Sequence, residues 1–182
     1  MMVALAPGPS EASGRAIPPV SRVCPSHAST MIRANPWPPA SQKLAPTGAV
    51  AISLCRYADA NTPPRLGIVG NVLVERYRQV DWLIREFDAL RAVPPGAFVC
   101  PFDAGEALLA TVFYPHKHKV TIRVDLQGCN PVTNGDLVRT AANLNGVNPQ
   151  GPHLLAKLKR LTDRLRIYHR ARHYPAPAPR AA

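Results

Sequence analysis

From Gly48 the chain alternates. Val50, Ile52 and Leu54 are separated by Ala51 and Ser53, with Ala49 and Cys55 on either side. A period of two marks a strand with one face turned inward, so Val50, Ile52 and Leu54 are expected to point at a core. Asp59 to Pro64 reads as a loop, and a short second strand is expected over residues 66–73, interrupted by Gly67 and Gly70. The period then lengthens. Tyr77, Val80, Leu83, Ile84, Phe87 and Leu90 fall on one stripe of a 3.6-residue helix over residues 75–91, with Arg76, Arg78, Glu86 and Asp88 mostly off it. Each large side chain buried on that stripe contributes about 1.5–3 kcal/mol before entropy is counted. Pro94-Pro95-Gly96 ends the helix.

Beyond it the pattern returns to strands. Ala97 to Cys100, Ala107 to Tyr114 and Val120 to Leu126 are expected to be extended, and Val120, Ile122, Val124 and Leu126 share one face. Pro115 to Lys119 joins the last two like a hairpin loop. Val132 and Thr133 run into Asn134-Gly135, a strong turn signal, with a return strand over Leu137 to Ala141. Pro152 suits the first turn of a second helix over residues 152–168, whose inner face is Leu154, Leu155, Leu158, Leu161 and Leu165. The fold class is therefore α+β: an antiparallel sheet of five or six strands with two amphipathic helices on one face.

Composition sets the boundaries. The chain has 182 residues and 21 prolines, and the prolines cluster before residue 47 and again over residues 175–179. Proline removes a backbone donor and fixes φ, so these stretches disfavour both helix and central strand. The expected organisation is a disordered Pro-rich arm over 1–43, one α+β domain over 44–168 and a disordered Pro/Ala tail over 169–182. No membrane-spanning run of about 18 apolar residues occurs.

The net charge is +11, but it is uneven. Residues 44–152 hold ten Lys/Arg and nine acids, whereas residues 153–182 hold eight Lys/Arg and one acid. The body is almost neutral and the basicity sits at the C-terminal end. Lys157, Lys159, Arg160, Arg164, Arg166 and Arg170 are thus the candidate anion-binding residues, interleaved further on with Tyr168, His169, His173 and Tyr174. Such a mixture can pair with phosphates and stack on bases, so an anionic surface or a nucleic acid is the partner it points to. A solvated helix face is the plainer account.

Four cysteines, Cys24, Cys55, Cys100 and Cys129, stand far apart with no C-x-x-C pair, which argues against a zinc ribbon or a thioredoxin-type site. An even number at wide spacing suits two structural disulfides in an oxidising compartment. Three pairings are open and spacing does not choose among them; Cys24–Cys55 with Cys100–Cys129 is the favoured one. Four buried free thiols in a cytosolic protein are the alternative. The N-terminal residues show neither a basic n-region nor an apolar h-region, so the export implied by the cysteines lacks its expected signal in this stretch.

Motifs that carry chemistry are sparse. His116 and His118 flank Lys117, but two imidazoles beside two lysines make a poor metal site. Asp103 and Glu106 lie in one expected turn, where Asp is favoured for bonding to nearby backbone, although Asp103 could act as a general base. No nucleophile-elbow, dinucleotide, P-loop or zincin motif occurs. No catalytic, cofactor-binding or metal-ligating residue is assigned, and no cofactor is implied.

Leu54-Cys55-Arg56-Tyr57, Cys100-Pro101-Phe102-Asp103-Ala104-Gly105, Gly128-Cys129, Val132-Thr133-Asn134-Gly135, Leu154-Leu155 and Leu161-Thr162 resemble, in order and spacing, a family of exported or lipid-anchored domains from high-GC bacteria to which no activity is attached. The resemblance spans residues 44–162 and implies a disulfide-bearing α+β exported domain, with nothing about catalysis. The basic extension beyond Thr162 lies outside it. The functional expectation is a non-enzymatic extracellular or envelope-associated domain that binds a ligand or partner. The alternatives are a cytosolic nucleic-acid-binding protein acting through the basic C-terminal helix, and a small hydrolase using Asp103 or a histidine.

Overall fold

The computed structural model describes residues 24–28, 32–34, 37–63, 65–93, 99–100 and 102–170, and within these the side chains of all but 38 and 164–170. Among the described residues there are six strands and two α-helices: β1 (Ala51–Tyr57), β2 (Ile68–Val74), α1 (Tyr77–Ala89), β3 (Ala107–Phe113), β4 (Lys119–Asp125), β5 (Pro131–Thr133), β6 (Val138–Thr140) and α2 (Gly151–Arg170). The strands form one sheet in the order β2-β1-β3-β4-β5-β6, every neighbouring pair antiparallel. The fold is α+β.

Register turns the alternation into rows that cross the sheet. Val74, Ile52, Val112 and Val120 make one row, and Val72, Leu54, Ala110 and Ile122 the next. Both rows lie on the face that packs against Val80, Leu83, Ile84 and Phe87 of α1 and Leu154, Leu158 and Leu161 of α2, in one continuous core. The third row is Gly70, Arg56, Leu108 and Val124. Here the sheet admits a helix backbone. A Cβ on Gly70 would collide with the carbonyl of Thr162, so α2 crosses β2 where no side chain intervenes.

Several expectations shift at their edges. Val50 precedes β1 and is 46% exposed, and Tyr77, at the first position of α1, is 76% exposed, so neither joins the core. Val80, one turn on, is the first residue of the stripe to be buried. Val99 and Cys100 are not in a strand, and residues 94–98, the rest of that expected strand, lie outside the described residues. The side chain of Leu165 does too, while Leu155 is half-buried. The expected tail begins inside α2, which continues through His169 and Arg170; residues 171–182 lie outside the described residues.

The described part of the Pro-rich arm packs on the domain, and residues 1–23, 29–31 and 35–36 lie outside the described residues. Prolines disfavour long helices and central strands, but they allow a short 3-10 turn, here Pro38–Ser41, and they do not exclude packing. Within residues 37–43 Ala40 is buried in the main core, next to Leu44 and Ala45 at the start of the expected domain, and Trp37 sits edge-on to Tyr114 with ring centroids 4.5 Å apart. Asn134, in the β5–β6 turn, explains how the arm is held. Its Oδ1 accepts from the N–H groups of Asp136 and Leu137, closing the turn. Its Nδ2 donates to the carbonyls of Ala40, Lys43 and Leu44. One buried amide thus satisfies both segments. Further back, residues 24–28 lie over the sheet face opposite the helices.

Candidate functional site

The sulfurs pair as Cys24–Cys55 and Cys100–Cys129, with Cα–Cα distances of 5.7 Å and 5.1 Å, and no cysteine is free. Cys55 projects from β1 away from the helices, where Cys55, Tyr57 and Leu109 form a small cluster covered by Cys24, Ala28, Ile32 and Ile68. Tyr57 donates its hydroxyl to the carbonyl of Pro25 at 2.8 Å, a second tie between the same two segments. Burial pushes the Tyr57 phenol up from 10.0 to about 12.

Cys100–Cys129 fastens a different region, at the end of the sheet where β1 leaves and β3 enters. The carboxylate of Asp103 accepts from the N–H of Gly105 at 2.8 Å, closing a local turn. Gln127 accepts from the N–H of Ala104 and reaches Asp59 with its amide nitrogen at 3.4 Å. Gly128, at φ +65°, leaves room for the side chain of Asp103, which a Cβ there would touch. Desolvation would raise the pKa of Asp59, but N–H donors from Asn61 and Thr62 outweigh it and hold the carboxyl below its ordinary value. On top of this tied loop cluster, Val99 is 98% and Phe102 81% exposed. Asp103 is therefore a turn-closing residue in this geometry.

Glu106 belongs to another assembly. Arg56 donates from Nε to its Oε1 at 2.8 Å and places Nη2 2.6 Å from the same oxygen. The remaining guanidinium nitrogen pairs with Asp163 of α2. Lys159 reaches Glu106 Oε2 at 3.5 Å and the carbonyl of Leu126 at 3.4 Å. A half-buried arginine on the helix-facing side of the sheet is thereby neutralised by two carboxylates, and α2 is pinned beside Gly70. Such a network fixes the position of α2 more than it adds stability.

The histidine pair separates. His118 stacks on Trp37 with ring centroids 5.4 Å apart and planes 5° from parallel, while His116 sits in the left-handed region at φ 61°. Among the described residues no group of three or more His, Cys, Asp or Glu is placed to hold a metal ion.

The candidate anion-binding residues also divide. Lys159 is engaged with Glu106, Arg160 is exposed, and Lys157 turns toward α1. Arg164, Arg166 and Arg170 are helical, but their side chains lie outside the described residues. What sequence reasoning did not find is the partner surface on α1. Lys157 Nζ lies 5.7 Å from the centroid of the Trp82 ring, in a groove of about 390 Å³ that Arg78 and Arg85 also line. The spacing of Arg78, Trp82 and Arg85 by four and three was the available signal, since it places them on one stripe of α1, along which Trp82 is half-buried at the margin of the core.

No protein family, no curated protein and no solved structure matches this chain. Among the described residues no helix is long and apolar enough to cross a membrane.

Proposed function

We propose that this protein is an exported or envelope-associated binding domain, non-enzymatic, that works in an oxidising compartment. The observation that supports this is the pair of disulfides. Each fastens a stretch in which none of the described residues is fully buried: 24–34 at Cys24 and 99–106 at Cys100. Chains kept in a reducing cytosol rarely hold such segments by sulfur. The resemblance over residues 44–162 to exported domains points the same way. The exposed Val99 and Phe102, beside the Cys100–Cys129 link and the turn held by Asp103 and Gln127, offer an apolar surface for a partner with part of its ordering cost already met. The test is to trap thiols by alkylation in fractionated native cells. The proposal expects no alkylated cysteine and recovery in the envelope or medium. Four alkylated cysteines in the cytosolic fraction would reject it.

A second reading, contact with a nucleic acid in the cytosol, draws on the eight Lys/Arg against one acid in residues 153–182. It requires binding to random-sequence DNA that weakens steeply with salt. Absence of retention on heparin at low salt would dispose of it.

A further inference from the structure

On the solvent side of the helical pair, Arg78, Gln79, Asp81, Trp82 and Arg85 of α1 and Lys157 of α2 line an open groove of about 390 Å³. Val80, Leu83, Ile84 and Phe87 turn one side of α1 into the core, Trp82 sits at the margin of that core, and Arg78 and Arg85 are exposed beside it. Trp82 is half-buried, and its ring makes an apolar floor. Lys157 lies over that floor with Nζ 5.7 Å from the centroid. Asp81 holds Arg85 at 3.0 Å, while Arg78 and Lys157 have no ion pair among the described residues. Three cations therefore face one carboxylate. A solvated face spreads its cations into water. Here two helices converge theirs on an aromatic plane, which keeps positive charge above an apolar surface.

We propose that this groove binds a phosphate monoester, with its phosphate between Arg78 and Lys157 and its organic part on Trp82. A monoester carries about −1.5 to −2 charges at pH 7, which matches the excess of cations in the groove. The guanidinium fork of Arg78 suits two phosphate oxygens, and Lys157 acts as a point charge from the opposite wall. Arg85, fixed by Asp81, adds attraction without having to be ordered. The monoester could be free in solution or be the headgroup of a phospholipid such as phosphatidic acid. The chemistry recognised is the same. This deepens the binding-domain reading and rests on it, since it names the ligand such a domain would hold.

The experiment follows Trp82 fluorescence in a Trp37→Phe background, using protein first shown to contain no free thiol. The probes are phenyl phosphate, benzoate, a random DNA oligomer, and phosphatidylcholine vesicles with and without phosphatidic acid. The proposal expects a saturable change with phenyl phosphate, with phosphatidic-acid vesicles, or with both, and the pattern identifies the source. Arg78→Gln/Lys157→Gln should weaken that response at least about tenfold while leaving the melting temperature unchanged. An equal response to benzoate, an undiminished response in the double variant, or no response to either phosphate source would overturn the proposal. A DNA response stronger than any of these would also overturn it, in favour of a polyanion surface. The thiol count keeps the two readings apart: a silent groove in fully oxidised protein rejects the ligand site alone, and free thiols reject the exported-domain reading alone.

Discussion

The two faces of the sheet are held by different means. The helix-covered face is an ordinary core, in which rows of Val, Ile, Leu and Ala meet two amphipathic helices and the buried side chains of the arm. On the opposite face the described apolar cluster is small, Cys55, Tyr57 and Leu109 beneath the partly buried Cys24, Ala28, Ile32 and Ile68, and the other buried residues there, Ala51, Ser53 and Ala107, have short side chains. A cover that small cannot offset the entropy of ordering an irregular segment by apolar burial alone. A covalent bond and a tyrosine hydroxyl supply what burial does not. The contrast teaches that cysteines here mark where the hydrophobic pattern is thin.

Four variants probe that contrast. Phe87→Ala should cost most, about 3–5 kcal/mol, because it empties a fully buried site on the helix-covered face; chemical denaturation measures it. Cys24→Ala/Cys55→Ala should cost about 3–4 kcal/mol, from releasing a loop closed across a separation of 31 residues. The loss should appear with α1 and α2 still folded by circular dichroism. Gly70→Ala should cost about 1–3 kcal/mol, since the new methyl meets the Thr162 carbonyl and must push α2 off β2.

Tyr57→Phe is the mildest, about 1 kcal/mol at neutral pH for the bond to Pro25. It also carries a pH signature. The folded phenol is raised from 10.0 to about 12, so its contribution is fully present below pH 10.0 and is lost as pH rises through about 12. The wild-type protein should lose stability across that window by a step that Tyr57→Phe lacks. Parallel denaturation series at increasing pH would show it.

The same contrast explains what could be read from the chain alone. Strands β3 and β4 and helix α2 announce themselves because alternation and the leucine stripe are set by the core they face. Asn134-Gly135 announces a turn because its side chain bonds within that turn. Its second role, as donor to Ala40, Lys43 and Leu44, left no local trace, and so the arm's attachment was not legible. Arg56, Glu106, Lys159 and Asp163 meet only once the register and the path of α2 are fixed. The groove over Trp82 is of the same kind: Lys157 is one of many basic residues in the sequence, and only tertiary structure places it against an aromatic ring.

Hydrogen exchange on the native protein, before and after mild reduction of Cys24–Cys55, tests the two-face account most directly. Amides of residues 24–28 should lose protection on reduction, while those of α1 and β4 keep theirs. Unchanged protection at 24–28 would mean that sulfur does not hold the arm. Simultaneous collapse of protection on both faces would mean that the core does not stand without it. Either result contradicts the account.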